Sequence, residues 1–306
     1  MPIKVPNDLP ARRILDRENI FIMQQSRADS QDIRPLRILI LNLMPKKIET
    51  EIQLLRLLGN SPIQIEVELM QTASYTSKNT SQEHLLKFYK VFDDIRTQKF
   101  DGMLITGAPI EQMPFERVDY WQELCGILEW ARTNVFCSYF ICWGAQAALY
   151  YYYGVPKYPL AEKLFGVYEH NIRTADHYLF QGFDDAFYAP HSRHTEVRAD
   201  DIEKCPDLQI LSDSEQAGIY IISDRENRQF FVTGHSEYDR DTLAWEYQRD
   251  MTANLHIKPP ANYYPNDNIA APPRFIWKAH ANLLYGNWLN YFVYQRTPFN
   301  FVKPSF

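Results

Sequence analysis

A cysteine, a histidine and a glutamate occupy settings that suit acyl transfer. Cys142 lies in Phe140-Ile-Cys-Trp-Gly-Ala-Gln146, where a β-branched and aromatic run gives way to helix-forming alanines. A strand-to-helix turn there pushes its central side chain outward, as in nucleophile elbows. The N–H groups and dipole at the helix start favour a thiolate over a thiol, and they stabilise an oxyanion when that thiolate attacks a carbonyl. His235 and Glu237 end another strand, in Phe231-Val-Thr-Gly-His-Ser-Glu237. In an extended chain alternation puts them on one side. A thiolate needs a base and the base needs an orienting acceptor, so the three residues supply a nucleophile, a base and its anchor. Alone, the first stretch reads as a core cysteine and the second as a solvated turn. Together, in this order on an α/β sheet, they favour catalysis. A third stretch, Leu104-Ile-Thr-Gly-Ala-Pro-Ile-Glu111, also follows a strand; it reads equally as a tight turn or as backbone that approaches a substrate and donates a second oxyanion hydrogen bond.

Other polar groups carry less. His191 and His194 stand three apart with no further ligand at metal-like spacing, so a polar loop is expected and no metal. Lys46 and Lys47 open a predicted helix, where the dipole disfavours cations, which hints at an anion or a reacting carbonyl nearby. A solvated lysine pair is the commoner outcome. Tyr150 to Tyr153 read as helix packing. No G-x-G-x-x-G or Walker loop is present, which removes nucleotide-dependent redox and kinase chemistry.

The elements that must position these residues alternate along the chain. Strands are expected at 36–43, 63–70, 102–105 and 135–141, with helices at 48–58, 82–95, 118–130 and 145–153. That order predicts an α/β fold, a mostly parallel sheet with helices on both faces, whose ligands bind at the carboxyl ends of the strands. Residues 157–215 have room for antiparallel strands, 219–222 and 230–232 read as a strand pair, and 242–251 as a helix. Five prolines between Pro259 and Pro273 mark a long exposed loop, and 275–294 closes as a helix. Residues 1–34 read as an N-terminal arm, 35–297 as one domain and 298–306 as a tail.

Composition sets the outer bounds. Of 306 residues 45% are hydrophobic and 23% charged, enough for a sizeable core. The net charge of −6, without runs of one sign, argues against nucleic acid or an anionic membrane as partner. Between Arg132 and Lys157 lie 24 uncharged residues, long enough to cross a bilayer. Gly144, Gln146 and clustered tyrosines inside the stretch fit a buried strand, turn and helix better. The first residues lack the apolar core of a signal peptide, and four cysteines show no framework spacing. A cytoplasmic protein with reduced thiols is expected.

An elbow cysteine followed by Gly-His-x-Glu resembles the class I glutamine amidotransferase-like superfamily, a flavodoxin-like fold. Gly144 and Gln146 fit its elbow pattern, but Phe140 stands where glutaminases have a glycine. Longer blocks are similar to the homoserine O-acyltransferases of methionine biosynthesis. These are Asn42-Leu-Met-Pro-Lys-Lys-Ile-Glu-Thr-Glu51, Thr106-Gly-Ala-Pro109, Cys142-Trp143, Gly166-Val-Tyr-Glu-His170, Gly182-Phe-Asp-Asp185, Ala189-Pro-His-Ser-Arg193 and Gly234-His-Ser-Glu-Tyr-Asp239. The resemblance implies that Cys142 takes an acyl group from acyl-CoA, and that His235, oriented by Glu237, activates the homoserine hydroxyl. Backbone N–H groups of Trp143, Gly107 and Ala108 are the oxyanion candidates. The family's substrate contacts fall on Lys163, Ser192 and Arg249, an arginine suiting an amino-acid carboxylate. Its position for acyl-donor choice falls at Glu111; acetyl-CoA users have glutamate there and succinyl-CoA users a small residue. The resemblance thus implies acetyl-CoA and L-homoserine as substrates, no bound cofactor and a homodimer. The alternatives are succinyl transfer, a glutaminase subunit, or a thiol redox sensor of the same fold.

Overall fold

A computed structural model of the chain describes residues 3–4, 6, 8–18, 22–23, 34–75, 79–174, 176–253, 255 and 257–298. The predicted tail, 298–306, lies outside these except for residue 298. Strands among the described residues are β1 (Ile3–Lys4), β2 (Ile22–Met23), β3 (Leu36–Leu41), β4 (Ile65–Met70), β5 (Tyr89–Lys90), β6 (Phe100–Ile105), β7 (Val135–Ile141), β8 (Tyr158–Ile172), β9 (Ala186–Glu196), β10 (Leu208–Ser214), β11 (Gly218–Asp224) and β12 (Gln229–Val232). They form one sheet in the order β2-β1-β4-β3-β6-β7-β12-β11-β10-β8-β9, with β5 beside β4. Every neighbouring pair from β2 to β12 along this path is parallel. From β12 to β9 every pair is antiparallel. The seam between the two halves is β12, parallel to β7 on one side and antiparallel to β11 on the other.

The parallel half is buried on both faces, which is why its strands read as continuous apolar runs. Along β3, Ile38 and Ile40 face one core and Leu39 and Leu41 the other. The first core is roofed by the helix Lys47–Gly59 and by the C-terminal helix, through Leu54, Leu58, Leu284 and Trp288. The second packs under Trp121–Asn134 and Trp143–Tyr153, through Leu124, Leu128, Ala148 and Leu149. Helices therefore cover both faces, and the uncharged stretch is β7, which faces both cores, with the helix that follows it in the second. No helix among the described residues is long and apolar enough to cross a membrane.

Three local expectations need correction. The helix over 82–95 is broken into Gln82–Phe88, the short β5 and Phe92–Ile95. Tyr89 turns inward and its hydroxyl donates to the buried Glu51 at 2.6 Å, a tertiary contact that overrides helix propensity. The proline-rich segment is anchored: Tyr263 is fully buried, and Ala261 exchanges backbone hydrogen bonds with Phe165 and Val167 of β8. The closing helix runs Lys278–Asn287 and then widens to a π-helix over Trp288–Tyr294, which seats Trp288 and Phe292 in the core.

Candidate active site

Strand register brings the three chemical stretches together. In β7, Phe140 pairs with Ile105 of β6 and Ile141 with Val232 of β12, so all three strands end side by side. The residues just beyond are Thr106-Gly107, Cys142 and Thr233-Gly234. Cys142 N–H donates to Val232 O at 2.7 Å, fixing the elbow to the neighbouring strand. Its backbone is bent to φ 50° and ψ −115°, a region that costs a non-glycine residue about 1–3 kcal/mol. The helix Trp143–Tyr153 starts at once and ends on Gly154 at φ 66°. Gly144 is required by packing: a Cβ there would lie 2.6 Å from Thr106 O. Gln146 latches this helix to β9, accepting from Thr195 Oγ1 at 2.9 Å and donating to Thr195 O.

His235 Nδ1–H donates to Glu237 Oε1 at 2.6 Å, and all of Cys142, His235 and Glu237 are buried. The pairing is made by a turn and not by extended chain, since Tyr238 N–H closes back on His235 O at 3.2 Å. The Glu237 contact leaves Nε2 on the far side of the ring, and Cys142 interacts with the ring electrostatically. Burial alone would disfavour the imidazolium. The negative charge of Cys142, then that of Glu237, and the hydrogen bond to Glu237 more than reverse it, and His235 is held well above the usual histidine range. Gly107 lies against both Cys142 and His235: a Cβ on it would be 3.2 Å from Cys142 Cβ and 3.7 Å from His235 Cε1. Among the described residues, the N–H groups of Gly107, Ala108 and Trp143 have no protein acceptor. Glu111 follows on the same loop, which Lys157 Nζ straps down by donating to Glu111 O at 2.5 Å and Met113 O at 2.7 Å.

A second cluster adjoins the first. Tyr238 stacks on His235, ring centroids 4.2 Å apart, and its hydroxyl donates to Glu246 Oε1 at 2.8 Å. Glu246 Oε2 accepts from Ser192 Oγ at 2.5 Å and lies 3.7 Å from Lys163 Nζ. Lys163 donates to Asp250 at 2.9 Å, and Asp250 also takes Arg249 at 2.6 Å. So Lys163, Ser192 and Arg249 do converge, one from each of β8, β9 and the helix Thr242–Thr252. The Lys163 side chain is 8% exposed, while that of Arg249 is 62% exposed. Tyr238, Glu246 and Asp250 were missed in the sequence. Two acids four apart on one helix, flanking Arg249, were the available signal. Also missed is Arg193, buried among the carbonyls of Thr195 (2.8 Å) and Ala217 (2.5 Å), whose charge interacts with that of Cys142.

The two lysines part company. Lys46 is exposed, 3.7 Å from Glu49. Lys47 is buried, with Nζ donating to Asn42 O at 2.5 Å and lying over the Tyr89 ring. Burial pushes Lys47 down to about 8, with Glu51 opposing. Because the unfolded chain holds this proton up to about 10.5, it binds more protons than the native state between the two values, and stability from this group rises with pH there. Lys47→Met removes that rise. Denaturant unfolding at pH 8 and pH 10 should show native stability gaining on the variant at the higher pH; a constant difference would contradict the burial argument. His191 sits against His170, Nε2 to Nε2 at 2.9 Å, and no group of three metal-ligating side chains occurs among the described residues.

A profile of the family described as Homoserine O-succinyltransferase matches residues 2–299. Relatives named homoserine O-acetyltransferase include those of Acetivibrio thermocellus, 60% identical over 98% of each chain, and Brevibacillus brevis, 59% identical over the same shares. That of Geobacillus kaustophilus is 57% identical over 98% of this chain and 99% of its own. Among solved structures, a glutamine amidotransferase from Thermotoga maritima superposes with a TM-score of 0.56 at 12% identity, covering 84% of this chain and 98% of that one. Another from Methylobacillus flagellatus gives 0.53, also at 12% identity, over 84% and 95%. These structures show a shared glutamine amidotransferase-like fold, and the match over nearly the whole length shows that the chain belongs to the homoserine O-succinyltransferase family.

Proposed function

We propose that this chain transfers an acetyl group from acetyl-CoA to the side-chain hydroxyl of L-homoserine through an acetyl-Cys142 intermediate. The observation that carries the reading is the continuity of the two clusters: His235 shares the Gly107 contact with Cys142 on one side and, through Tyr238 and Glu246, reaches the Lys163–Ser192–Arg249 group on the other. Cys142 sulfur attacks the thioester carbonyl, and the oxyanion is received by the N–H groups of Trp143 and of the Gly107–Ala108 loop. Collapse expels CoA, which takes the His235 proton. Exchange of one thioester for another is near isoenergetic, so the step needs positioning more than driving force. Neutral His235 then removes the homoserine hydroxyl proton as the oxygen attacks acetyl-Cys142. Collapse frees the ester and restores the paired thiolate and imidazolium. Lys163 and Arg249 offer cations to the substrate carboxylate, while Glu246 and Asp250 suit its ammonium. Burial of the triad excludes water, which would otherwise hydrolyse the intermediate.

Acetyl-CoA as donor is supported by Glu111 and by the names of the relatives at 57–60% identity. A carboxylate on the loop beside the nucleophile leaves less room for a succinyl group and repels its charge. Turnover with homoserine should therefore favour acetyl-CoA over succinyl-CoA. Glu111→Gly should shift the ratio of kcat/KM values toward succinyl-CoA by about tenfold or more. An unchanged ratio would remove Glu111 from donor choice, and a native preference for succinyl-CoA would overturn acetyl transfer itself. The four cysteines are free, which fits a reducing, cytoplasmic setting. A homodimer rests on family resemblance alone.

A further inference from the structure

The loop that carries two of the oxyanion candidates is fastened by a side chain that the mechanism above does not use. Thr106 is buried, and its hydroxyl makes two hydrogen bonds: Oγ1 accepts from Leu43 N–H at 2.8 Å and donates to Gly107 O at 3.1 Å. A hydroxyl has one proton, so with the Leu43 N–H taken on a lone pair, that proton is left for Gly107 O. Backbone contacts hold the rest of the residue. Thr106 N–H donates to Leu41 O at 3.1 Å, and Thr106 O lies where a Cβ on Gly144 would come within 2.6 Å of it. Leu43 is fixed in turn by Asn42, every polar group of which is used. Its N–H donates to Met70 O at 3.0 Å and its Nδ2 to the Tyr89 hydroxyl at 3.0 Å, while its Oδ1 accepts from Met44 N–H at 3.1 Å and its C=O from Lys47 Nζ. Tyr89 rests on the buried Glu51, so one connected set of contacts runs from the helix Lys47–Gly59 to the end of β6.

Gly107 and Ala108 share one trans peptide, in which the C=O of the first and the N–H of the second point in opposite directions. Holding Gly107 O therefore also aims Ala108 N–H, which has no acceptor among the described residues. Next to a glycine, whose backbone is the least restricted of any residue, a peptide turns over more cheaply than elsewhere. A Cβ on Gly107 would lie 3.2 Å from Cys142 Cβ, so this peptide adjoins the nucleophile's own residue. Turned over, it would offer a carbonyl oxygen where a donor is needed. An acceptor for Leu43 N–H would by itself account for the threonine oxygen, but not for the second bond, to Gly107 O. We propose that the Thr106 hydroxyl is a clasp that locks the Gly107–Ala108 peptide with its N–H toward the oxyanion, Leu43 N–H setting the direction of the clasp. Thr106 is a positioning residue, acting on the reaction only through that peptide. The thioester step and the homoserine step both pass through an oxyanion on the same acetyl carbonyl, so both depend on it.

This rests on the acyl-enzyme reading, and two reactions of the same sulfur separate the two. Acetylation by acetyl-CoA passes through a carbonyl oxyanion. Alkylation by iodoacetamide forms the S–C bond as iodide leaves a saturated carbon, and needs no oxyanion site. Both rates are followed by intact mass on the native chain, Thr106→Val and Thr106→Ser, with KM for homoserine and thermal unfolding alongside. Thr106→Val should slow acetylation by about ten- to hundredfold, less than the roughly 10²–10³-fold lost when an oxyanion donor is deleted outright. Alkylation and KM should not move. Thr106→Ser, which keeps the hydroxyl, should regain most of the acetylation rate. Unchanged acetylation in Thr106→Val, an equal slowing of both reactions, or a Thr106→Ser chain as slow as Thr106→Val would overturn the clasp while leaving the acyl-enzyme in place. A native chain that never forms acetyl-Cys142 would overturn the acyl-enzyme reading, and the clasp with it. If Thr106→Val fails to fold for want of an acceptor at Leu43 N–H, Thr106→Ala, which leaves room for a water there, decides by the same comparison.

Discussion

Cys142→Ala is expected to lower kcat/KM for acetyl transfer by about 10⁴-fold or more, since no other group at the site can hold the acyl intermediate. Mixed with acetyl-CoA and no homoserine, the native chain should gain one acetyl group by intact mass and lose it when homoserine is added. The alanine variant should gain none. An acetyl group retained on the variant would move the nucleophile elsewhere, and release of ammonia from glutamine without acetylation would select a glutaminase. Oxidation of Cys142 without turnover of any acyl donor would select the redox reading. The variant is a clean test because alanine keeps the Cβ and therefore the positive-φ backbone of the elbow, so its fold and strain should match the native chain.

Removing the base should cost nearly as much. His235→Gln is expected to lower kcat/KM by about 10³-fold, within the range for a positioned general base. The native ring is held protonated well above the ordinary histidine range by the charges of Cys142 and Glu237, against the opposing effect of burial. In the proposed mechanism that imidazolium is the cation that activates the Cys142 sulfur. Alkylation of Cys142 by iodoacetamide at pH 6 to 7 should thus slow markedly in His235→Gln, while the exposed remainder of the chain is untouched. An unchanged alkylation rate would mean that Arg193, a buried cation that also interacts with Cys142, suffices to activate the thiol and that His235 serves only the second half-reaction.

Much of this architecture was legible in the sequence. Continuous apolar runs at 36–43 and 135–141 signalled buried strands, and the change from β-branched residues to alanines at Cys142 signalled the elbow. What escaped was set by contacts between distant segments. Tyr89 breaks a helical pattern because Asn42 and Glu51 wait for its hydroxyl. Lys46 and Lys47 are the same residue type side by side, and only the packing of the helix they open decides that one is buried and the other solvated. Glu246 and Asp250 look like ordinary surface acids until β8 and β9 bring Lys163 and Ser192 against them. The pairing of His235 with Glu237 was foreseen, but from strand alternation, whereas a turn makes it.

The placement of β12 has a consequence for synthesis. β7, which leads into Cys142, is complete at Ile141, but its parallel neighbour β12 begins only at Gln229, roughly ninety residues later in the chain. At about 5–20 residues per second, a ribosome takes several seconds to cover that gap. During it the edge of β7 next to Cys142 has no strand to pair with, and the thiol has neither its histidine nor its carboxylate. The last strand inserted into the sheet therefore closes an exposed edge and brings His235 and Glu237 to Cys142 in one step.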